Sequence, residues 1–581
     1  MRIESLPVES ENFQIIRNAA CEADKAVHIA LARASGGISP ASLAQASIDW
    51  ATHFAVSPSK QAALYQNALQ AVSELGAWIF GGADCPRQPA PRDTRFRSDA
   101  WRSWPFNLLE QIFLGTEAWW DEATTGVRGV TRHHEQLANF FARQSLDVLS
   151  PSNFPWSNPD VLLRTWRSAG LNFVQGVANF WEDQVRQERE LPPAGAEQFA
   201  PGARVAVTPG KVVLRNHLIE LIQYLPSTPS AFPEPVLLVP AWIMKYYILD
   251  LSPHDSLVKY LVDRGHTVFA VSWKNPDASD RDLSLEDYRA LGLMAAIEAV
   301  SDIAGGQKIH AVGYCLGGTL LSIGAAAMAR DGDQRLASLT LMAAQTDFTE
   351  PGELGLFIDE SQLVFLESLM QHQGYLRGDQ MAGTFQLMRS ADLIWSRIVH
   401  AYLMGERPAM TDLMAWNADT TRMPARMHSE YLRRLFLDNQ LATGQYRVEH
   451  RPIALTDLRL PIFCVATLAD HVAPWRSVYK LHLLTETEIT FVLTSGGHNV
   501  GVVNPPQQSS YSYRLGVRPA EGVYSDPDSF LQSAWTEAGS WWPAWAAWLE
   551  QRSGPSTRPP ELGSDRHPPL CDAPGSYVHL R

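Results

Sequence analysis

Ile309-His310-Ala311-Val312-Gly313-Tyr314-Cys315-Leu316-Gly317-Gly318-Thr319-Leu320 joins an apolar, strand-like run to a helix of small residues that continues through Ala325-Ala326-Ala327-Met328-Ala329. Between the two lies G-x-C-x-G, the cysteine form of the nucleophile elbow, a sharp strand-to-helix turn that lifts one side chain above a sheet. Glycines flank the cysteine because a Cβ there would clash where strand and helix cross closely. The helix points its free N–H groups and positive dipole end at Cys315, which favours a thiolate or an oxyanion. A buried structural cysteine in an ordinary strand-to-helix turn is the competing reading. The strand before it and the helix after it favour the nucleophile.

Such a nucleophile needs a base and a group to orient that base. In α/β-hydrolase folds these follow in the order acid, then histidine. Asp470 follows the strand-like Phe463-Cys464-Val465-Ala466, and His498 follows the last strand in Ser495-Gly496-Gly497-His498-Asn499-Val500. Both sit past the carboxyl ends of strands, on the rim that carries the elbow. Their separation of 28 residues fits one intervening helix and strand. Cys315, Asp470 and His498 are therefore the candidate triad. His471 is a rival base, although its neighbour Asp470 would then lack its role. For an oxyanion hole, the backbone N–H groups of Leu316 and Trp242 are the candidates, the second from the loop after Val236–Val239.

Outward from the elbow, short apolar runs alternate with helices: Val236–Val239, Val268–Val271, Ile309–Val312, Leu339–Met342, Ile462–Ala466 and Ile489–Leu493. Alternation of this kind implies a parallel sheet covered on both faces. Between Met342 and Ile462 lie 119 residues, where a strand–helix–strand unit needs only about 30. The excess has helical periodicity over Phe357–Gln371, Gln380–Leu403 and Arg426–Asn439. It predicts an inserted helical cap at about 345–450, over the sheet edge where such folds bind ligands. The fold class expected is α/β, an α/β-hydrolase fold with that cap and a helical N-terminal domain.

Residues 1–92 read as a helical lead-in, mobile or weakly packed, and 93–204 as a helical, aromatic-rich domain. In the latter, Ser150-Pro151-Ser152-Asn153-Phe154-Pro155 breaks two helices. Residues 205–552 form the catalytic domain. It opens with Val205–Gly210 and Val212–Leu214 as short strands around a Pro-Gly turn and closes with an amphipathic helix at Ser540–Leu549. Residues 553–581, rich in Pro, Gly, Ser and Arg, are expected to lack fixed structure.

A net charge of −14 argues against a general nucleic-acid or anionic-membrane surface. The first residues show no signal peptide, and no run of about 18 uncharged apolar residues predicts a transmembrane segment. Five widely spaced cysteines suit reduced cytosol, with no disulfide framework and no zinc pair. His133-His134-Glu135 looks metal-like but reads more simply as a solvated helix face. The expected location is cytoplasmic.

The motifs together resemble the polyhydroxyalkanoate synthases. The family's G-x-C-x-G-G box stands at Gly313–Gly318, a P-P-W-I-N-K-F/Y-Y-I-L-D-L-like block at Pro240–Leu251, and G-H-T-V-F…S-W-x-N-P at Gly265–Pro276. D-H-x-A-P-W-R-S-V-Y-K matches Asp470–Lys480, with shorter matches at Leu393–Trp395, Trp416–Asp419, Ser150–Phe154 and Gly539–Trp548. The resemblance covers about residues 93–552, and the full-length N-terminal domain resembles the long form that acts without an unlike subunit. It implies polymerisation of (R)-3-hydroxyacyl-CoA with release of coenzyme A, through an acyl group on Cys315. It also implies that Asp470 helps deprotonate the attacking 3-hydroxyl. No metal or organic cofactor is implied, because the coenzyme A thioester is a substrate. The partners implied are that thioester, the growing polyester and its granule surface, and a second copy in a homodimer. Ala241, Met244 and Asn499 depart from the family's usual Pro, Asn and Ile, which bears on acyl length. A cysteine-nucleophile thioesterase or polyester hydrolase is the alternative activity, and a non-enzymatic granule-surface protein a more distant one.

Overall fold

The computed structural model describes residues 27, 31, 38–81, 84–85, 87–90, 93–507 and 510–581. The expectation for residues 1–37 therefore lies almost wholly outside the described residues. Beyond them, the lead-in forms two helices, Pro40–Ala55 and Pro58–Gly81.

In chain order the strands of the main sheet are β1 (Gly210–Arg215), β2 (Ile219–Tyr224), β3 (Val236–Val239), β4 (Val268–Trp273), β5 (Ile309–Tyr314) and β6 (Leu336–Met342). They continue as β7 (Ile462–Thr467), β8 (Ile489–Thr494), β9 (Ser512–Arg518), β10 (Trp535–Ala538) and β11 (Cys571–Asp572). Across the sheet they run β10-β9-β8-β7-β6-β5-β3-β4-β2-β1-β11. The six strands from β8 to β4 are mutually parallel and are the six apolar runs of the sequence. Their continuous hydrophobicity follows from burial on both faces. The elbow helix Leu316–Asp331 and the helix Ala295–Ile303 cover one face; Leu257–Asp263 and Trp542–Glu550 cover the other.

The antiparallel flanks differ from expectation. The hairpin of β1 and β2 does not turn at Pro209-Gly210; it turns at Asn216-His217-Leu218. There the Asn216 side chain accepts the N–H groups of Leu218 and Ile219, each at 2.9 Å, a turn device particular to Asn and Asp.

Residues 553–581 also depart from expectation, because they are packed. β11 pairs with β1, and the buried Glu220 carboxylate accepts the N–H groups of Ser576 and Tyr577 at 2.8 and 2.9 Å. The buried Lys245 ammonium donates to the Leu580 carbonyl at 2.6 Å, and burial lowers its pKa to about 8. Composition argued for disorder, but the tail supplies hydrogen-bond partners to two buried charges, Lys245 and Glu220, the second of which also accepts from Arg215 at 2.7 Å.

The excess between β6 and β7 is helical, as Glu360–Gln373, Gly378–Met388, Ala391–Leu403, Asp412–Ala418 and Ala425–Leu437, with π-helical turns in the third and last. N-terminal helices pack against this layer. Gln362 accepts the Ser39 N–H at 2.7 Å, Ser390 donates to Asp147 at 2.8 Å, and Asn179 donates to the Ala401 carbonyl at 2.9 Å. Gly176 lies so close to residue 402 that a Cβ would fall 1.9 Å from its carbonyl oxygen. His134 pairs with Asp49 and His133 with Asp359, so the pair ties helices together. Trp101, Phe113 and Phe140 are buried, whereas Trp166, Val174, Val177 and Trp181 are exposed, the last three at helical spacing on Leu171–Glu188.

Truncation before Leu570 strips hydrogen bonds from Glu220 and Lys245. Hydrogen bonds to charged groups contribute about 1.5–3 kcal/mol each, so we expect the truncated chain to lose roughly 3 kcal/mol or more in a denaturant titration. An unchanged midpoint would show the tail to be dispensable for stability.

Candidate active site

Cys315 ends β5 with φ 53° and ψ −123°, a backbone conformation rare for a residue with a side chain. Glycines around it permit this. A Cβ on Gly313 would lie 2.3 Å from Gly318 Cα, and one on Gly317 would lie 2.0 Å from the Val239 carbonyl oxygen. The Cys315 N–H donates to the Met342 carbonyl at 2.9 Å, fixing the elbow to β6. Its own carbonyl accepts from Gly318 and Thr319 and opens the helix. Leu316, first in that helix, holds an N–H with no intrahelical acceptor.

Asp470 and His498 come from the loops after β7 and β8, which are laced together by Leu468 N–H to Thr494 O and Ala469 N–H to Gly496 O at 2.9 and 2.8 Å. Asp470 Oδ2 lies 2.7 Å from His498 Nδ1 and also accepts the Thr467 hydroxyl at 2.9 Å. Its Oδ1 accepts the N–H groups of Val472 and Ala473, both at 2.9 Å. Burial alone would raise the Asp470 carboxyl; the His498 charge and these hydrogen bonds outweigh it and hold the pKa below the usual value. Burial likewise works against a charged His498, but the Asp470 carboxylate and the Cys315 sulfur, which is hydrogen-bonded to the ring, raise its pKa well above 6.5. The three predicted side chains therefore meet, with the imidazole between sulfur and carboxylate. His471 lines the wider cavity described below together with Cys315 and His498, but Asp470 holds the His498 ring, and burial lowers the His471 pKa.

The His498 loop is braced from behind by the aromatic helix. Trp541 and Trp542 donate their indole N–H groups to the carbonyls of Gly501 and Val502, both at 2.9 Å. Asn499, noted in the sequence only as a departure, accepts the Tyr314 hydroxyl at 2.6 Å, and the Tyr314 ring lies 5.6 Å from that of His498.

The loop after β3 is fixed beside the elbow. Trp273 donates its indole N–H to the Pro240 carbonyl at 2.9 Å, and Thr421 donates to the Trp242 carbonyl at 2.5 Å. The Trp242 indole does not wall the pocket; it lies in the core against Trp273 and Tyr288, at 5.8 and 5.0 Å. Ala241 and Ile243, its neighbours, face the cavity.

Two cavities meet at Cys315. One, about 90 Å³, is an apolar chamber roofed by cap residues such as Leu366, Leu369, Phe385 and Phe436. The other, about 350 Å³, is lined by Met244, Trp416, Tyr314, His498 and Asn499 among others. Ile243, Met381, Phe385 and Val472 border both. This junction gives a thiol, a base with its acid, and an enclosed apolar site: the means for acyl transfer.

Comparison with known proteins agrees with this class. Residues 234–505 match the alpha/beta hydrolase fold, residues 92–261 the N-terminus of poly-beta-hydroxybutyrate polymerase (PhaC), and residues 18–60 a further poly-beta-hydroxybutyrate polymerase N-terminal family. The chain is 40% identical over 499 residues to a poly(3-hydroxyalkanoate) polymerase of Methylorubrum extorquens, covering 85% of this chain and 82% of that one. It is 35% identical over 497 residues to the PhaC subunit of the Cupriavidus necator polymerase, covering 84% and 83%. The fold is thus that of the α/β hydrolases. Within it, the chain belongs to the poly(3-hydroxyalkanoate) polymerase (PhaC) family.

Asn499→Ile would leave the buried Tyr314 hydroxyl only the His498 carbonyl, 3.5 Å away, as an acceptor. Stability measured by denaturant should fall by roughly 1–3 kcal/mol; an unchanged value would mean the hydroxyl finds another partner. A second prediction concerns pH. The raised His498 pKa stabilises the fold fully below about 6.5, the unfolded value, and this contribution is lost as pH rises through the folded pKa. Asp470→Asn removes the charge that raises it. The variant's stability deficit should therefore be largest near pH 6 and narrow in alkaline solution; a deficit constant across that range would contradict the coupling.

Proposed function

We propose that this chain polymerises (R)-3-hydroxyacyl groups from coenzyme A thioesters into polyester, through an acyl group carried on Cys315. The observation that carries the reading is the placing of Cys315 at the junction of two cavities, one apolar and roofed, the other shared with His498. In a chain of the polymerase family, these have natural occupants: the acyl group in the chamber, and the incoming thioester in the wider cavity.

His498 accepts the thiol proton, and the Cys315 thiolate attacks the thioester carbonyl. The tetrahedral oxyanion is held by the N–H groups of Leu316 and Trp242. Its collapse breaks the carbon–sulfur bond to coenzyme A, whose thiolate takes the proton from His498. Exchange of one thioester for another costs little, so the acyl group stays reactive. A 3-hydroxyl then attacks the acyl-enzyme, losing its proton to His498 with the Asp470 carboxylate stabilising the imidazolium; the new ester forms and the Cys315 sulfur leaves. Water would end the chain by the same route, and the cap's apolar roof excludes it. The exposed Trp166, Val174, Val177 and Trp181 would suit contact with the surface of an apolar polyester granule.

The test supplies (R)-3-hydroxybutyryl-CoA and follows free thiol and light scattering together. We expect thiol release accompanied by insoluble polymer, with little free 3-hydroxybutyrate. Cys315→Ala should lower thiol release by at least about 10³-fold with the circular dichroism spectrum unchanged. Thiol release with stoichiometric free acid and no polymer would instead establish a hydrolase built on the same residues.

A further inference from the structure

His428 lines the apolar chamber beside Cys315, yet the described residues leave its Nδ1 without a hydrogen bond. Its residue is 2% exposed, and its Nδ1 is buried with no partner among the described residues. The chamber's other polar side chains are committed elsewhere. Thr319 donates to the Gln345 carbonyl at 2.8 Å, and the Gln345 amide donates to Ser477 at 3.0 Å. Gln362 accepts the Ser39 N–H at 2.7 Å, and Gln380 accepts the Arg377 N–H at 3.0 Å. A buried polar group without a partner is costly, and natural proteins keep few of them without a use.

Tyr431 stands three residues on, on the same face of the helix Ala425–Tyr431, with its ring centroid 6.3 Å from that of His428. It too lines the chamber. Burial, and then the charge of Cys315, raise its pKa well above the ordinary tyrosine value, which keeps it a neutral phenol within electrostatic reach of the nucleophile. Burial also lowers the His428 pKa to about 4, so at neutral pH the imidazole carries one N–H donor and one bare nitrogen acceptor. Two neutral groups, each able to donate and accept, suit a neutral oxygen and offer no compensating charge to a carboxylate or an ammonium. Along an acyl chain attached to Cys315, that oxygen is the one on carbon 3: a hydroxyl in the first unit, an ester oxygen in a growing chain.

We propose that His428 and Tyr431 form a specificity pair, carried by the cap, that reads the 3-oxygen of the acyl group bound to Cys315. The proposal rests on the acyl-transfer reading above and adds its substrate criterion: a site that hydrogen-bonds an oxygen rejects the analogue lacking it, because its own polar groups are then stranded.

The test compares single-turnover acylation by (R)-3-hydroxybutyryl-CoA and by butyryl-CoA, read as the burst of coenzyme A thiol. The parent should favour the hydroxyacyl thioester by about 10²-fold or more. His428→Leu and Tyr431→Phe should each cut that ratio by about tenfold or more, while His428→Gln, which keeps a donor and an acceptor, should restore part of it. Tyr431→Phe removes a single oxygen and so carries the test even where His428→Leu fails to fold. A parent that does not discriminate, or variants that keep the parent's ratio, would overturn the pair's role while a burst from either thioester leaves acyl transfer standing. No burst from either thioester in the parent would overturn both.

Discussion

The close approach of three backbone segments at Gly313, Gly317 and Gly318 is the constraint from which the site follows. With a Cβ at Gly317 placed only 2.0 Å from the Val239 carbonyl oxygen, the helix after the elbow could not reach the end of β3. That contact forces Cys315 into its positive φ, a strain of about 1–3 kcal/mol. The flanking β3, β5 and β6 hold it there through the sheet. The same approach sets the first turn of Leu316–Asp331 beside the loop after β3 that carries Trp242, so one steric requirement raises the nucleophile and brings helix and loop together.

The rest of the machinery is held by long-range polar contacts rather than by the sheet alone. Asp470 is buried and accepts four hydrogen bonds, from His498, Thr467, Val472 and Ala473. This lets a carboxylate stay charged where burial opposes it. Two indoles of the C-terminal helix hold the His498 loop from below. The cap closes the site from above, and the N-terminal helices pack on that cap, so they reach the chemistry only through it. The C-terminal tail acts on the loop after β3 in a similar way, through Lys245.

Legibility in the sequence followed how local each signal was. The six central strands were readable because strands buried on both faces must be apolar throughout. The cap was readable as an excess of chain between two of them. β9 and β10 carry polar, partly exposed residues and left no such trace, and the β1–β2 hairpin departs from the Pro-Gly expectation because the Asn216 side chain closes its turn instead. The tail was misjudged because its stability comes from Glu220 and Lys245, hundreds of residues away, and composition contains no pairing. Cys315, Asp470 and His498 were named because each follows a recognisable strand. Asn499 was seen only as a departure, and its hydrogen bond to Tyr314 had no sequence signal. His428 is one histidine among 17, and only the chamber sets it apart.

The central claim is that the acyl chain is carried on Cys315. Rapid acid quenching after mixing with (R)-3-hydroxybutyryl-CoA, followed by proteolysis and mass spectrometry, tests it directly. The account predicts one or more 3-hydroxybutyryl units on the peptide containing Cys315, removable by hydroxylamine and missing from Cys315→Ala. Acyl units on a different residue, or polymer formed with Cys315 never acylated, would contradict it.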